Sequence, residues 1–251
     1  MSKCKAFGLK TAPLIFWALV WQWGSILVGN DILLPPPMEV VRFILTALPS
    51  LDFWQSIIFS SFKIMLGFFL SLILGGIFAS LSYKHKILNA ALRPLVQGMK
   101  AVPVVSFIIM LLIWCSPKWL SVVISFIMVF PIIFLNIYES FSSIPKELLE
   151  MAEVFKLDSL TRIRYIIIPH VFPFLCSACK IALGVSWKSG IAAEVIAIPA
   201  GSIGEMLYFS KIYLNTAELL GWTAVILALS FAFEHLFLKL LDYIFLNLRR
   251  G

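Results

Sequence analysis

Six long apolar stretches constrain the fold of this chain more than any other feature of its sequence. They fall at about residues 13–29, 57–81, 95–115, 119–138, 171–198 and 219–245. A helix that crosses a bilayer needs about 20 mostly apolar residues, and within lipid a helix satisfies all of its own backbone hydrogen bonds. The sequence therefore predicts an all-α membrane protein, with residues 1–251 forming a single transmembrane domain of six transmembrane helices.

The composition excludes most other protein classes. Hydrophobic residues make up 61% of the chain and charged residues 13%, whereas soluble domains average about 45–50% and about 25%. In a soluble protein the net charge of +7 would suggest a nucleic-acid partner. In a membrane protein lysine and arginine instead mark the cytoplasmic side, so we expect the lipid bilayer and no nucleic acid.

The positions of the basic residues predict the orientation. Both tails and the connections after the second and fourth stretches contain twelve lysines and arginines. These are Lys3, Lys5, Lys10, Lys84, Lys86, Arg93, Lys146, Lys156, Arg162, Arg164, Arg249 and Arg250. The alternate connections contain three, Arg42, Lys118 and Lys211. Because basic loops remain in the cytoplasm, we expect a multi-pass protein of the cytoplasmic (inner) membrane with both termini cytoplasmic.

Residues 139–164 form the one long polar stretch, with nine charged residues. Within it, apolar residues recur at i, i+3, i+4 and i+7, the spacing of one helical face. They are Leu148, Met151, Ala152 and Phe155. A second amphipathic piece runs from Leu160 to Ile168, and Pro169 marks the entry to the fifth stretch. Two short amphipathic helices joined at a bend favour docking into a partner's groove; the alternative is a surface-lying loop without a partner.

The same stretch resembles a family signature. Glu150-Met151-Ala152, three residues, Lys156, nine residues and Ile166-x-Ile168-Pro169 fit E-A-A-x3-G-x9-I-x-L-P without a gap. That signature is typical of the membrane subunits of binding-protein-dependent ABC importers. Met151, Lys156 and Ile168 depart from it. The second departure matters most, because glycine permits a positive φ and Lys156 would make the bend costlier or differently shaped.

Three further segments resemble the sulfonate-, taurine- and nitrate-type permeases of that family. Leu33–Val40 is similar to L-L-P-x-P-x-x-V, and Lys100–Pro103 and Ala192–Glu194 also match the subfamily. The resemblance covers nearly the whole chain. It implies the type I ABC importer permease fold and transport of a small anionic or polar solute, of the sulfonate, taurine, nitrate or vitamin-precursor class.

The resemblance also implies a division of labour. Residues 144–169 would form a coupling segment that inserts into cytoplasmic ATPase subunits. The expected partners are two such ATPases, an extracytoplasmic solute-binding protein and a second permease subunit, in a homodimer or alternatively a heterodimer. The coupling residues would be Glu147, Glu150, Met151, Ala152, Phe155, Lys156, Ile166 and Pro169.

No cofactor is expected on this chain. It lacks the G-x-x-x-x-G-K-[ST] loop that cradles a triphosphate, so ATP and Mg²⁺ would bind to the partner ATPase. The sequence offers no catalytic residue and no metal site, since its three histidines are widely scattered. We therefore expect a transport protein and not an enzyme.

Ionisable residues inside apolar stretches are costly and suggest function. The candidates are Lys63, Lys180, Lys188, Glu194, Glu234 and His235. On a regular helix Lys188 and Glu194 lie ~9 Å apart along the axis and ~120° apart around it, so they do not form a simple pair. Lys188, Ser189 and Glu194 are the candidate residues of a translocation path. The alternative interpretation makes Lys188 a structural partner of a carboxylate on another helix, and Glu194 a structural residue.

Small residues form a stripe along the fifth stretch that suits close helix packing. The stripe comprises Ala178, Ala182, Ser186, Ser189 and Ala193. Two rival functions remain: a secondary transporter that uses Lys188 and Glu194, and an intramembrane enzyme. Secondary transporters usually contain repeated halves, and the halves of this chain show no similarity to each other. For the enzyme, no nucleophile stands at a suitable spacing from His170 or His235.

Overall fold

The computed structural model describes residues 2–250, and the side chains of residue 13 and residues 15–247. The side chains of Lys3, Lys5, Lys10, Arg249 and Arg250, which the charge count uses, lie outside the described set. Residues 2–250 contain eleven α-helices and no strand, which confirms the all-α prediction. The helices are α1 (Ser2–Val28), α2 (Pro37–Ala47), α3 (Leu51–Lys84), α4 (Lys86–Ala101), α5 (Val104–Leu111), α6 (Pro117–Ser142), α7 (Lys146–Val154), α8 (Ser159–Arg162), α9 (Ile168–Ala197), α10 (Ile203–Ile212) and α11 (Thr216–Arg250).

Four of the described helices are individually long and apolar enough to cross a membrane. They are α3, α6, the continuous helix Ser159–Ala197 that contains α8 and α9, and Thr216–Asn247 of α11. The apolar part of α1, Ile15–Val28, is shorter. The chain has six spans only if α1 forms one span and the pair α4–α5 forms another. The number of six spans therefore remains a prediction.

The third apolar stretch, predicted as a single span over residues 95–115, is not one continuous helix. It is divided between α4 and α5, which meet at an angle of 102°. The break falls at Val102, whose φ of −78° and ψ of 131° are extended. Pro103 explains this break, because proline disfavours helical geometry in the residue before it and cannot donate a backbone hydrogen bond.

Helices α3, α6 and α9 form the core. They approach closely where small residues face each other: a Cβ on Gly67 of α3 would lie 2.5 Å from the Val122 carbonyl oxygen of α6. Interhelical hydrogen bonds join the same helices, from Ser71 Oγ to the Phe126 carbonyl at 2.9 Å and from Ser125 Oγ to the Ser186 carbonyl at 3.2 Å. All five residues of the small-residue stripe on α9 are buried, which confirms their predicted role in close packing.

The peripheral helices have a different character. Large apolar side chains of α1 and α11 are exposed, among them Trp17, Trp23 and Phe231, as a lipid-facing surface requires. Helix α2 packs on α11, with the rings of Phe43 and Trp222 6.3 Å apart. One polar region lies at the start of α9, and a second lies near its end.

Candidate functional site

The first region begins with α7, the first of the predicted amphipathic helices. It ends in a left-handed turn in which the Leu157 amide donates to the Ala152 carbonyl at 2.9 Å and the Lys156 amide to the Glu153 carbonyl at 3.0 Å. This pair of bonds is the Schellman motif, which satisfies the last carbonyls of a helix. Lys156, at the signature's glycine position, has a φ of +49°.

The conformation of Lys156 shows what the departure from glycine means. A positive φ costs an ordinary L-residue about 1–2 kcal/mol because Cβ crowds the carbonyl oxygen. The chain nevertheless makes the left-handed turn here. The side chain of Leu157 packs against the buried Ile144, Ala152 and Ile166, and this contact stabilises the turn. The bend thus has the conformation that glycine adopts easily, at a cost in backbone strain.

The second amphipathic helix, α8, is capped by Asp158. The Thr161 amide donates to Asp158 Oδ2 at 3.3 Å, which satisfies a free N–H of the first turn. The hydrogen bonds from Thr161 lower the pKa of the exposed Asp158 carboxyl below its usual value. The cap fixes the point at which the chain turns back toward the membrane.

Pro169 lies in the first turn of α9, at the predicted entry to the fifth stretch, and the chain remains helical on both sides of it. A π-helical turn, Ile163–Ile167, joins α8 to α9, and the Ile168 amide donates to the carbonyl of Ile163. Proline lacks the N–H for an ordinary helical bond and crowds the carbonyl four residues earlier; the wider turn just before Pro169 accommodates both effects. One helix therefore continues from Ser159 to Ala197.

The inner face of this coupling segment, residues 144–169, anchors it to the membrane domain. Ala152 is 3% exposed and packs in a cluster with the buried Ile144 and Ile166. Phe141 of α6 packs against the same cluster. Ala152 and Ile166, both predicted coupling residues, thus hold the segment in place and do not form its outer surface, while Pro169 is half-buried.

The outer face presents large apolar side chains. Val154 and Leu160 are each 77% exposed and Phe155 is 71% exposed; Met151 and Tyr165 are exposed too. Among the other predicted coupling residues Glu147, Glu150 and Lys156 are exposed as well. We call Val154, Phe155 and Leu160 the exposed apolar face. Val154 was missed because it lies six residues after Leu148, outside the i, i+3, i+4, i+7 pattern that identified its neighbour Phe155.

The second region lies at the other end of α9, around Glu194. This carboxylate is 1% exposed. Ser60 Oγ of α3 donates to Glu194 Oε2 at 2.6 Å and accepts from the Ile203 amide at 2.9 Å. The Gly204 amide of α10 donates to the same carboxylate oxygen at 3.4 Å. The contacts join α3, α9 and α10, and we call Ser60, Glu194, Ile203 and Gly204 the outer polar cluster, where outer means the end of α9 away from the coupling segment and inner the end beside it.

Lys63 completes the electrostatics of this cluster. Its buried ammonium donates to the Lys118 carbonyl, lies 4.2 Å from the ring centre of Trp119, and interacts through its charge with Glu194. The side chain of Ser121 on α6 also approaches the Glu194 carboxylate. These contacts favour the structural interpretation of Glu194.

The three candidate path residues do not share one surface. Lys188 is exposed on α9, whereas Ser189 and Glu194 are buried, and Ser189 Oγ donates within its own helix to the Ser186 carbonyl at 3.3 Å. Of the other membrane charges, Lys180 and His235 are exposed and Glu234 is half-buried. The described residues contain no group of three potential metal ligands, and Cys115, Cys176 and Cys179 are free thiols.

Residues 67–249 match the family described as the binding-protein-dependent transport system inner membrane component. The match covers α6, α9 and the second half of α3, the coupling segment, and the outer polar cluster except for Ser60. The chain belongs to this family. It is therefore a multi-pass membrane component of a transport system, and the resemblance seen in its signature is confirmed.

Individual relatives place it among the taurine-, nitrate- and sulfonate-type permeases. The taurine transport system permease protein TauC of Escherichia coli is 25% identical over 223 residues, which cover 85% of this chain and 80% of TauC. The nitrate import permease protein NrtB of Synechococcus elongatus is 26% identical, covering 79% and 75%. The putative aliphatic sulfonates transport permease protein SsuC of Escherichia coli is 28% identical, covering 84% and 82%.

Proposed function

We propose that this chain is the membrane subunit of an ATP-driven importer and that its coupling segment docks on a cytoplasmic ATPase. The exposed apolar face carries the proposal. Large apolar side chains that are more than two-thirds exposed in a polar, membrane-flanking segment are typical of a protein interface. The proposal includes six spans, cytoplasmic termini, two ATPase subunits that bind ATP and Mg²⁺, a solute-binding protein and a second permease subunit.

The connection of the coupling segment to the membrane domain supports force transmission. Its inner face packs on the end of α6 through Ala152 and Phe141, so the segment moves with the core. The continuous helix Ser159–Ala197 has 39 residues, or about 60 Å at the usual rise per residue. Movement of the exposed apolar face would therefore displace one end of a long helix whose other end lies beside the outer polar cluster.

The substrate class follows from the relatives. The names of these relatives specify taurine, nitrate and aliphatic sulfonates, which are small charged solutes. We propose a small anionic or polar substrate for this chain, with vitamin precursors included in the class. Lys188 would attract it, since a charged side chain on the outside of a membrane helix requires water or a partner, and a pathway shared with the second subunit supplies water.

The docking proposal is tested by substituting the exposed apolar face. The tagged full-length chain is purified from its native membranes, and the co-purifying ATPase is measured by its amount and its vanadate-sensitive activity. Because Phe155 is largely exposed, Phe155→Asp should leave the folded chain intact. It should weaken ATPase binding about 30-fold or more, as loss of an interface hot spot of about 2 kcal/mol does.

Leu33→Asp is the matched control, since Leu33 is 69% exposed and lies in the connection between α1 and α2. It should retain the ATPase. If Phe155→Asp and Leu160→Asp both retain it at the wild-type level, the docking assignment is wrong. Uptake into proteoliposomes that follows an ion gradient and ignores internal ATP would instead indicate a secondary transporter.

The pathway role of Lys188 needs a separate measurement. We expect Lys188→Ala to reduce substrate uptake strongly while the ATPase still co-purifies, because the lysine lies away from the coupling segment. Lys188→Arg keeps the charge and should retain most of the uptake. Unchanged uptake by Lys188→Ala would contradict the pathway role and favour a structural one.

A further inference from the structure

A cavity of about 520 Å³ lies between the end of α3 and the coupling segment. Its ten lining residues come from α3, the end of α6, α7, α8 and the π-helical turn. The volume falls within the usual range of small-molecule sites, about 300–1,000 Å³. The cavity belongs neither to the exposed apolar face nor to the outer polar cluster.

The lining has two chemically different parts. Lys84 and Arg162 supply two positive charges, and none of the ten lining residues carries a carboxylate. The hydroxyl groups of two serines add hydrogen-bonding capacity, while Phe141, Ile144 and Ile163 contribute to an apolar wall. A ligand that matches this lining carries both an anionic group and a hydrocarbon portion.

The place of the cavity in the fold favours a lipid over a soluble anion. Lys84 is the last residue of the membrane helix α3, and the ring of Tyr83 beside it stacks on Phe141 at 5.4 Å between ring centres. Basic pockets between membrane helices on the cytoplasmic side bind acidic lipid headgroups. A soluble phosphate would leave the apolar wall without a partner.

We propose that this cavity binds an acidic phospholipid of the cytoplasmic leaflet. The phosphate lies between Lys84 and Arg162, and part of an acyl chain covers the apolar wall. Because one cation belongs to α3 and the other to α8, the bound lipid bridges the membrane core and the coupling segment. The assignment to the cytoplasmic leaflet rests on the proposed orientation of the chain.

The test measures lipid retention directly. The full-length chain, purified with its partner subunits, is equilibrated in equal amounts of phosphatidylglycerol and phosphatidylcholine, and the retained lipids are counted by native mass spectrometry. We expect the wild type to retain phosphatidylglycerol preferentially. Lys84→Gln with Arg162→Gln should reduce that preference by about fivefold per cation, the ordinary strength of a basic residue near an acidic lipid surface.

Lys86→Gln is the matched control, because Lys86 is an exposed neighbour of Lys84 that does not line the cavity; it should retain the wild-type preference. Ile163→Trp keeps both cations but fills the apolar part, and it should also release phosphatidylglycerol. Glycerol phosphate should fail to compete. The proposal is overturned if the wild type shows no preference, if the double variant keeps it, or if glycerol phosphate displaces the lipid completely.

Orientation is measured independently, so that its failure can be distinguished. A single cysteine introduced as Lys86→Cys, in a chain otherwise without cysteine, is treated with a membrane-impermeant thiol reagent on intact cells. Protection in intact cells and labelling after lysis support a cytoplasmic cavity. Labelling from outside would contradict the proposed orientation and the leaflet, whereas the lipid count would still report whether the cavity binds an acidic lipid.

Discussion

The two ends of α9 have opposite chemistry. At the outer end a carboxylate, Glu194, is 1% exposed and is held by partners from α3 and α10. At the inner end the coupling segment leaves Val154, Phe155 and Leu160 more than 70% exposed. Burying a polar group is costly unless it is hydrogen-bonded, and exposing an apolar group forgoes the stability that burial supplies. The outer end therefore finds its partners within the chain, while the inner end leaves apolar surface that the proposed ATPase partner would cover.

This comparison predicts that substitutions at the outer end lower stability, whereas substitutions on the exposed apolar face lower partner binding. The largest effect is expected at Gly204. A Cβ there would lie 2.3 Å from Glu194 Cβ and 2.5 Å from the Glu194 carbonyl carbon. Gly204→Ala must separate α10 from α9, and we expect a loss of about 3 kcal/mol or more in the free energy of unfolding, as in severe overpacking.

Thermal unfolding of the detergent-purified chain, followed by size-exclusion chromatography, measures this loss. Gly184→Ala in α9 is the control, because a Cβ there meets nothing within 4 Å. It should be neutral or stabilising by up to about 1 kcal/mol, since alanine favours a helix. Equal stability of the two variants would show that α10 is not packed on α9 as described.

The next effect is expected from Ser60→Ala. It removes the donor to Glu194 Oε2 and the acceptor of the Ile203 amide, and leaves both groups buried. We expect a loss of about 1–3 kcal/mol in the free energy of unfolding. Glu194→Gln keeps an oxygen that accepts both bonds and should cost less than Ser60→Ala in the same thermal measurement.

Ser142→Ala is the control for the loss of a serine hydroxyl. Ser142 Oγ donates within its own helix to the Tyr138 carbonyl at 3.0 Å and is exposed, so its loss should change stability little. If Ser60→Ala and Ser142→Ala are equally stable, the outer polar cluster does not hold the outer end together.

A smaller effect of opposite sign is expected at the inner end. Lys156→Gly removes the strain of a φ of +49°, about 1–2 kcal/mol, against the greater flexibility of glycine in the unfolded chain, about 0.5–1 kcal/mol. We expect a net gain of about 1 kcal/mol. The measurement is protection of the coupling segment from limited proteolysis at neutral pH.

Glu153→Gly should act in the opposite direction, because this residue lies inside α7, where glycine costs about 1 kcal/mol relative to a good helix former. Faster cleavage of Lys156→Gly than of the wild type would mean that the positive φ carries no strain.

The smallest effect concerns the cap of α8. Hydrogen bonds from Thr161 lower the pKa of Asp158 in the folded chain. The stabilisation is therefore fully present above the ordinary aspartate pKa of about 3.9 and is lost as the pH falls through the lowered value. Asp158→Asn also caps a helix but does not titrate.

The wild type and Asp158→Asn should therefore differ in their pH dependence below about pH 4. We expect the proteolytic protection of the wild-type segment to fall more steeply than that of the variant, as measured with an acid-active protease. Parallel curves for the two proteins would show that Asp158 does not contribute to the acid sensitivity.

Sequence patterns predicted the helices well because apolar runs and breaker residues act locally. The Ser and Ala stripe of α9 was identified by spacing alone, and all five residues are buried. The third apolar stretch was predicted as one span, but its division at an angle of 102° depends on how α4 and α5 pack. Pro169 marks the start of α9 as predicted, whereas the π-helical turn before it, which accommodates the proline, was not predicted.

The sequence by itself determined the membrane environment, the family and the location of the amphipathic segment proposed to couple, since these follow from hydropathy and from residues at fixed spacing. Tertiary structure decided which way each side chain faces. It turned Ala152 inward and Phe155 outward, and it gave Glu194 its partners Ser60 and Gly204, which are 134 and 10 residues away along the chain. Contacts at such separations depend on helix packing, which a periodic pattern does not specify.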